Sequence, residues 1–124
     1  MKKLIALVAF TAGIAISGQA LAHGATPKHG GFVQSAGDLS FELVSKDGKP
    51  VIYVEDHGAD FATKGASGRL TVLAGAKKSE AVLAHTSANM LSSKSAMALP
   101  TGAKVVATIV LPGKDAISVR FLLK

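Results

Sequence analysis

The sequence predicts an all-β domain; its spacing suits a sandwich or a barrel, and the expected architecture is a β-sandwich of seven or eight short strands. Three observations lead there. Beyond residue 31 the apolar residues come in short alternating runs, and turn residues interrupt them every eight to twelve positions. No amphipathic stretch of ten or more residues keeps a helical period.

The chain opens Met1-Lys2-Lys3, runs apolar over 4–16 and reaches the triplet Ala20-Leu21-Ala22. A basic start, a short apolar run and a small-x-small triplet predict a cleaved secretory signal peptide over 1–22. The apolar run falls short of the roughly 20 residues that a membrane-spanning helix needs. Cleavage after Ala22 would make His23 the first residue. Removing 22 of 124 residues leaves 102, enough for one domain built on one core. Losing Lys2 and Lys3 takes the 14 basic residues to 12, against 8 acidic ones. Apart from Lys77-Lys78 the positive residues are scattered, which reads as a solubility device before a nucleic-acid site. A loose attraction to anionic membrane surfaces is the lesser alternative, with no stable insertion. The chain has no cysteine, so disulfides, thiolate metal sites and a lipid-anchor thiol are all excluded. The Lys-Lys leader is bacterial in style, and the expected compartment is the periplasm.

A flexible leader, "HGATPKHGG" at residues 23–31, comes next. The domain then occupies 32–124, with strand-like runs at 32–34, 39–44, 51–56, 69–73, 81–86, 90–93, 104–111 and 117–123. Punctuation comes from Ala36-Gly37, Asp47-Gly48, the glycines at 65 and 68, Gly75-Ala76, Pro100 with Gly102, and Pro112-Gly113. Residues 92–99 are the least regular and read as loop.

One hairpin can be set in register. Asp-Gly between alternating apolar runs signals a two-residue turn. Centring it on Asp47-Gly48 pairs Leu43 with Ile52 and Phe41 with Val54, and these four form the core face. Glu42 then faces Tyr53, Ser40 faces Glu55, and Asp38 faces His57. A slip of one residue would turn the apolar set outward. A second turn at Ala36-Gly37 would lay 32–34 back along 39–41. That would bring the leader within reach of the Glu42–Tyr53 pair, so that His23, His29, Glu42, Asp56 and His57 converge.

Imidazole is a common ligand for copper and zinc, and a carboxylate can complete such a site. An N-terminal histidine adds a chelate of its α-amine and its own Nδ1, two nitrogens that suit Cu(II). The candidate ligands are therefore His23, His29 and His57, with Asp56 and Glu42 as carboxylate partners. His85 shares strand parity with Ala81 and Leu83 and reads as a packed structural histidine. Met90 and Met97, seven apart, read as core fillers before Cu(I) ligands. Catalysis is not expected, because there is no cysteine nucleophile, no G-x-S-x-G and few carboxylates.

The stretches "KHGGFVQSAGDLSFELV" and "VIYVEDHG", with "KGASGRLTVLAG" and "GAKVVATIVLPGKDAISVRFLL", resemble a group of small exported bacterial proteins. That group shares a His-Gly-Gly near the mature start, a Phe-Glu-Leu-Val strand and an Asp-His strand end. Its pattern is similar to the N-terminal extensions of periplasmic adaptor subunits of heavy-metal efflux systems. The resemblance implies an immunoglobulin-like β-sandwich and a link to copper handling, with His29, Glu42 and Asp56-His57 at the matching positions. The leader holds only His23 and His29, which argues against high-capacity storage. The expected function is transition-metal binding, Cu(II) ahead of Zn(II), for buffering or delivery to an efflux adaptor or another envelope protein. The alternative is a β-sandwich protein-interaction module without metal.

Overall fold

The computed structural model describes residues 26–124. The expected signal peptide and His23 lie outside the described residues. Nine strands run through the described part: β1 Phe32–Ala36, β2 Leu39–Lys46, β3 Lys49–Asp56, β4 Ala59–Asp60, β5 Ser67–Ala74, β6 Lys77–Ser87, β7 Met90–Ser93, β8 Lys104–Val110 and β9 Ile117–Leu122. Every pairing is antiparallel, in the continuous order β1-β2-β3-β7-β6-β5-β8-β9, and β4 adds to β3. β1 and β9, the ends of this path, lie against each other, so the sheet curls into a nearly closed barrel. No hydrogen-bonded ladder joins the two ends among the described residues, so β1 and β9 remain edge strands held close together.

The expected all-β class is what the chain adopts. One continuous sheet runs where two packed sheets had been expected, because β7 pairs β3 on one side and β6 on the other. Leu39, Phe41, Leu43, Ile52, Val54, Leu70, Val72, Leu83, Leu91, Val105, Ile109, Val119 and Phe121 fill the interior. Among the described residues every strand and every core side chain lies between Phe32 and Leu123.

The β2–β3 register is the one that the alternation predicts: Leu43↔Ile52, Phe41↔Val54, Glu42↔Tyr53 and Ser40↔Glu55. All four apolar members are fully buried. Asp47 and Gly48 both have positive φ, 53° and 78°, the twist that joins two strands with only two residues. The pairing ends at Leu39↔Asp56, so the expected Asp38–His57 pair does not form. Each residue is drawn into a turn of its own, Asp38 after Gly37 and His57 before Gly58. The first turn is Gly37-Asp38, one residue later than expected. This lengthens β1 and sets Gln34 opposite Phe41 and Phe32 opposite Leu43.

β4 has no counterpart among the expected strands. It exists because His57-Gly58, with φ of 52° and 87°, makes a second two-residue hairpin turn that returns Ala59 to Asp56. Thr63 follows, fully buried. Its hydroxyl lies 2.8 Å from the Met90 carbonyl, 3.1 Å from the Ala88 carbonyl and 2.9 Å from His85 Nδ1. The hydroxyl has one proton to give to a carbonyl, so Nδ1 of His85 donates to Thr63. His85 is thereby held in a structural role.

Candidate functional site

The described residues ahead of β1, 26–31, do not hang free. Glu42, on the outward face of β2, accepts backbone N–H groups from Lys28 at 3.0 Å and His29 at 2.9 Å, and from Gly31 at 2.8 Å. Both carboxylate oxygens are engaged. Two residues beyond Tyr53, the partner of Glu42 on β3, Glu55 meets Lys28 Nζ at 3.0 Å, and the same ammonium donates to the Gly58 carbonyl at 2.8 Å. The His29 ring lies flat over Tyr53, with centroids 3.6 Å apart and planes inclined by 11°. Residues 28–31 of the leader are thus strapped across the barrel wall by one carboxylate, one ion pair and one ring stack.

The local chemistry explains the fit. Gly31 crosses β2 so closely that a Cβ there would collide with the Leu43 carbonyl oxygen and lie 2.8 Å from Val44 Cγ2. Gly30 takes a φ of 75°, which turns the chain down onto the sheet. Covered in this way, the polar stripe of the hairpin becomes interior: Glu42, Tyr53 and Glu55 are 6%, 9% and 8% exposed. Burial works to raise the Glu42 pKa, but the donations from Gly31, Lys28 and His29 and the positive field of His29 outweigh it. The net result is a carboxyl below its ordinary range.

His57 projects from its turn with a 76% exposed side chain, and its Nδ1 lies 2.5 Å from Asp56 Oδ1. Thr26, the first described residue, lines an open hollow of about 690 Å³ together with Lys28, Asp38, Glu55, His57 and Gly58. The upstream end of the strap and the exposed histidine therefore share one concavity.

The expected site residues are thus partly gathered. Glu42 meets the backbone of His29, and Asp56 meets His57. Among the described residues no group of three or more His, Cys, Asp or Glu side chains converges in a way that could hold a metal. Glu42 serves here as the anchor of the strap. His29 contributes its ring to Tyr53, and His23 is outside the described residues. Lys28, Tyr53 and Glu55 were not singled out from the sequence. The signal for two of them was present, since the hairpin register puts Tyr53 and Glu55 on the same stripe as Glu42. Their burial was not legible, because it depends on the leader folding over them. Comparison with protein-family models, curated proteins and solved structures finds no match.

Proposed function

We propose that this protein is an exported, periplasmic transition-metal carrier that captures Cu(II) ahead of Zn(II) and hands it to an efflux or assembly partner. The observation that carries this reading is the strap: Glu42 and Lys28 bring Thr26 to the hollow that His57 lines. His23 is three residues upstream of Thr26. After cleavage at Ala22 its amine and imidazole would chelate the ion, and His57, paired with Asp56, would add a donor from the folded wall. His29 supplies a further imidazole on the strap. Neutral imidazole and amine nitrogens suit Cu(II). The chain's own work is to bind, position and release, with no bond chemistry. Immunoglobulin-like kinship belongs to the same proposal, supported by the inward alternation of apolar residues that a sandwich also requires.

Tyr53 provides the test, because the chain has one tyrosine and no tryptophan. Cu(II) bound at the strap should quench its emission. The chain beginning at His23 is titrated with Cu(II), alongside the same chain carrying one extra residue before His23. The extension should weaken binding by a factor on the order of ten or more. His57→Asn should weaken it as well; asparagine suits the test because it tolerates the positive φ that alanine resists. Affinity should fall below about pH 6, where protons compete for imidazole. Equal, weak quenching in all three chains would refute the carrier.

β1 and β9 favour a second reading, since each is hydrogen-bonded to a strand on one side only among the described residues. An interaction module that accepts a partner's strand at that seam would use them. It would respond to the extension and to His57→Asn not at all.

A further inference from the structure

The basic residues are scattered in sequence, but strand register collects them. On the outer surface of β6, β5, β8 and β9, one row across the sheet reads Lys78, Leu73, Lys104, Leu122. The next reads Glu80, Thr71, Val106, Arg120, and the third reads Val82, Arg69, Thr108, Ser118. Four cations thus stand on this face against one carboxylate. Glu80 sits 3.8 Å from Arg69 and 3.6 Å from Lys78 in exposed pairs that water screens. Aliphatic side chains are interleaved with the cations: Leu73, Leu122 and Val82 are 39%, 47% and 63% exposed. Leu73, Lys104, Arg120 and Leu122 also border one shallow groove. The remaining strand-borne carboxylates, Glu42, Glu55, Asp56 and Asp60, all lie on β2, β3 and β4. The cations of this face and the other strand-borne carboxylates thus stand on different strands.

We infer that the β6-β5-β8-β9 face docks on an anionic lipid bilayer, with Arg69, Lys78, Lys104 and Arg120 on headgroup phosphates and Leu73 and Leu122 at the headgroup boundary. Charge complementarity selects an anionic partner, and the interleaved aliphatics select one with an apolar layer beneath its charges. A folded acidic protein fits less well. It would need a fixed counter-pattern, and the strands of this face turn no aromatic anchor outward, because Phe121 points into the core. Lipid headgroups move laterally and meet whatever spacing the cations have.

The test is sedimentation of the chain beginning at His23 with vesicles of phosphatidylcholine, alone or mixed with equal phosphatidylglycerol. Binding should require phosphatidylglycerol and weaken with salt. Lys104→Gln with Arg120→Gln should lower the partition coefficient about 25-fold, taking roughly fivefold for each cation near the surface. Lys46→Gln with Lys49→Gln removes the same charge at the β2–β3 turn and should do much less. Leu122→Ser, exposed and harmless to the core, should also weaken binding. The inference falls if phosphatidylglycerol makes no difference, if the two lysine variants at the turn match the pair on the face, or if Leu122→Ser has no effect. Stronger binding to soluble inorganic polyphosphate than to the vesicles would equally overturn it, by showing that charge alone is read.

Discussion

Glu42 decides whether the leader is part of the fold. A carboxylate accepting three backbone N–H groups is a charge-assisted anchor, stronger than the same geometry with a neutral acceptor. Glu42→Gln keeps the shape but puts an NH₂ where one oxygen accepted, so one or two leader amides lose their partner. We expect a loss of about 1–3 kcal/mol, held to that range because the freed leader can turn to water. Hydrogen exchange should read it as faster exchange at Lys28, His29 and Gly31, with the β2–β3 core amides unchanged. The lowered pKa gives the pH dependence. Folding favours the charged form, so the strap contributes its full stability above the ordinary glutamate pKa. That contribution is lost as pH falls through the lowered folded value. Tyr53 emission in metal-free protein should stay flat down to about pH 4.5 and change only below it. A change centred near pH 6 would assign the strap to a histidine instead.

β1 is the element most dependent on one small residue. It can lie alongside β2 only because Gly31 lets the backbone pass over Leu43 and Val44. Gly31→Ala should push the strap off and cost about 1–3 kcal/mol, the usual range for overpacking against backbone that cannot yield. The check is a lower thermal midpoint together with loss of the His29–Tyr53 stack, read as altered tyrosine emission. Two of the Gly-containing turns differ from this case. Asp47-Gly48 and His57-Gly58 need positive φ, and a residue tolerating that conformation can stand in. The first of these was legible as Asp-Gly. The second, His-Gly, carries a weaker signal, and β4 was missed with it.

β7 makes one body of two halves. It is four residues long, yet it pairs β3 through Val51↔Ser92 and Ile52↔Leu91, and β6 through His85↔Leu91. Leu91 at its centre is fully buried. Asn89 just before it donates to the Val54 carbonyl at 3.0 Å. With no disulfide to hold the halves, the join rests on packing and these bonds. Leu91→Ala should cost about 2–5 kcal/mol. Denaturant unfolding followed by tyrosine emission, which reports β3, and by circular dichroism, which reports all strands, should still coincide in one transition. Two separated transitions would mean that β5, β6, β8 and β9 form a unit without β7.

What the amino-acid sequence determined is the local layer of this protein. Period-two alternation sets which side of each strand is apolar, and Asp47-Gly48 sets one register, because a slip would expose Phe41, Leu43, Ile52 and Val54 together. The eight expected runs all became strands. The tertiary structure alone decided what meets across long separations. β7 inserts between β3 and β6, the leader buries Glu42, Tyr53 and Glu55, and Arg69, Lys78, Lys104 and Arg120 gather on one wall. The physical reason is that alternation specifies a face but not a neighbour. Neighbours are chosen by burial and by charge-assisted hydrogen bonds, and these exist only once the sheet has closed.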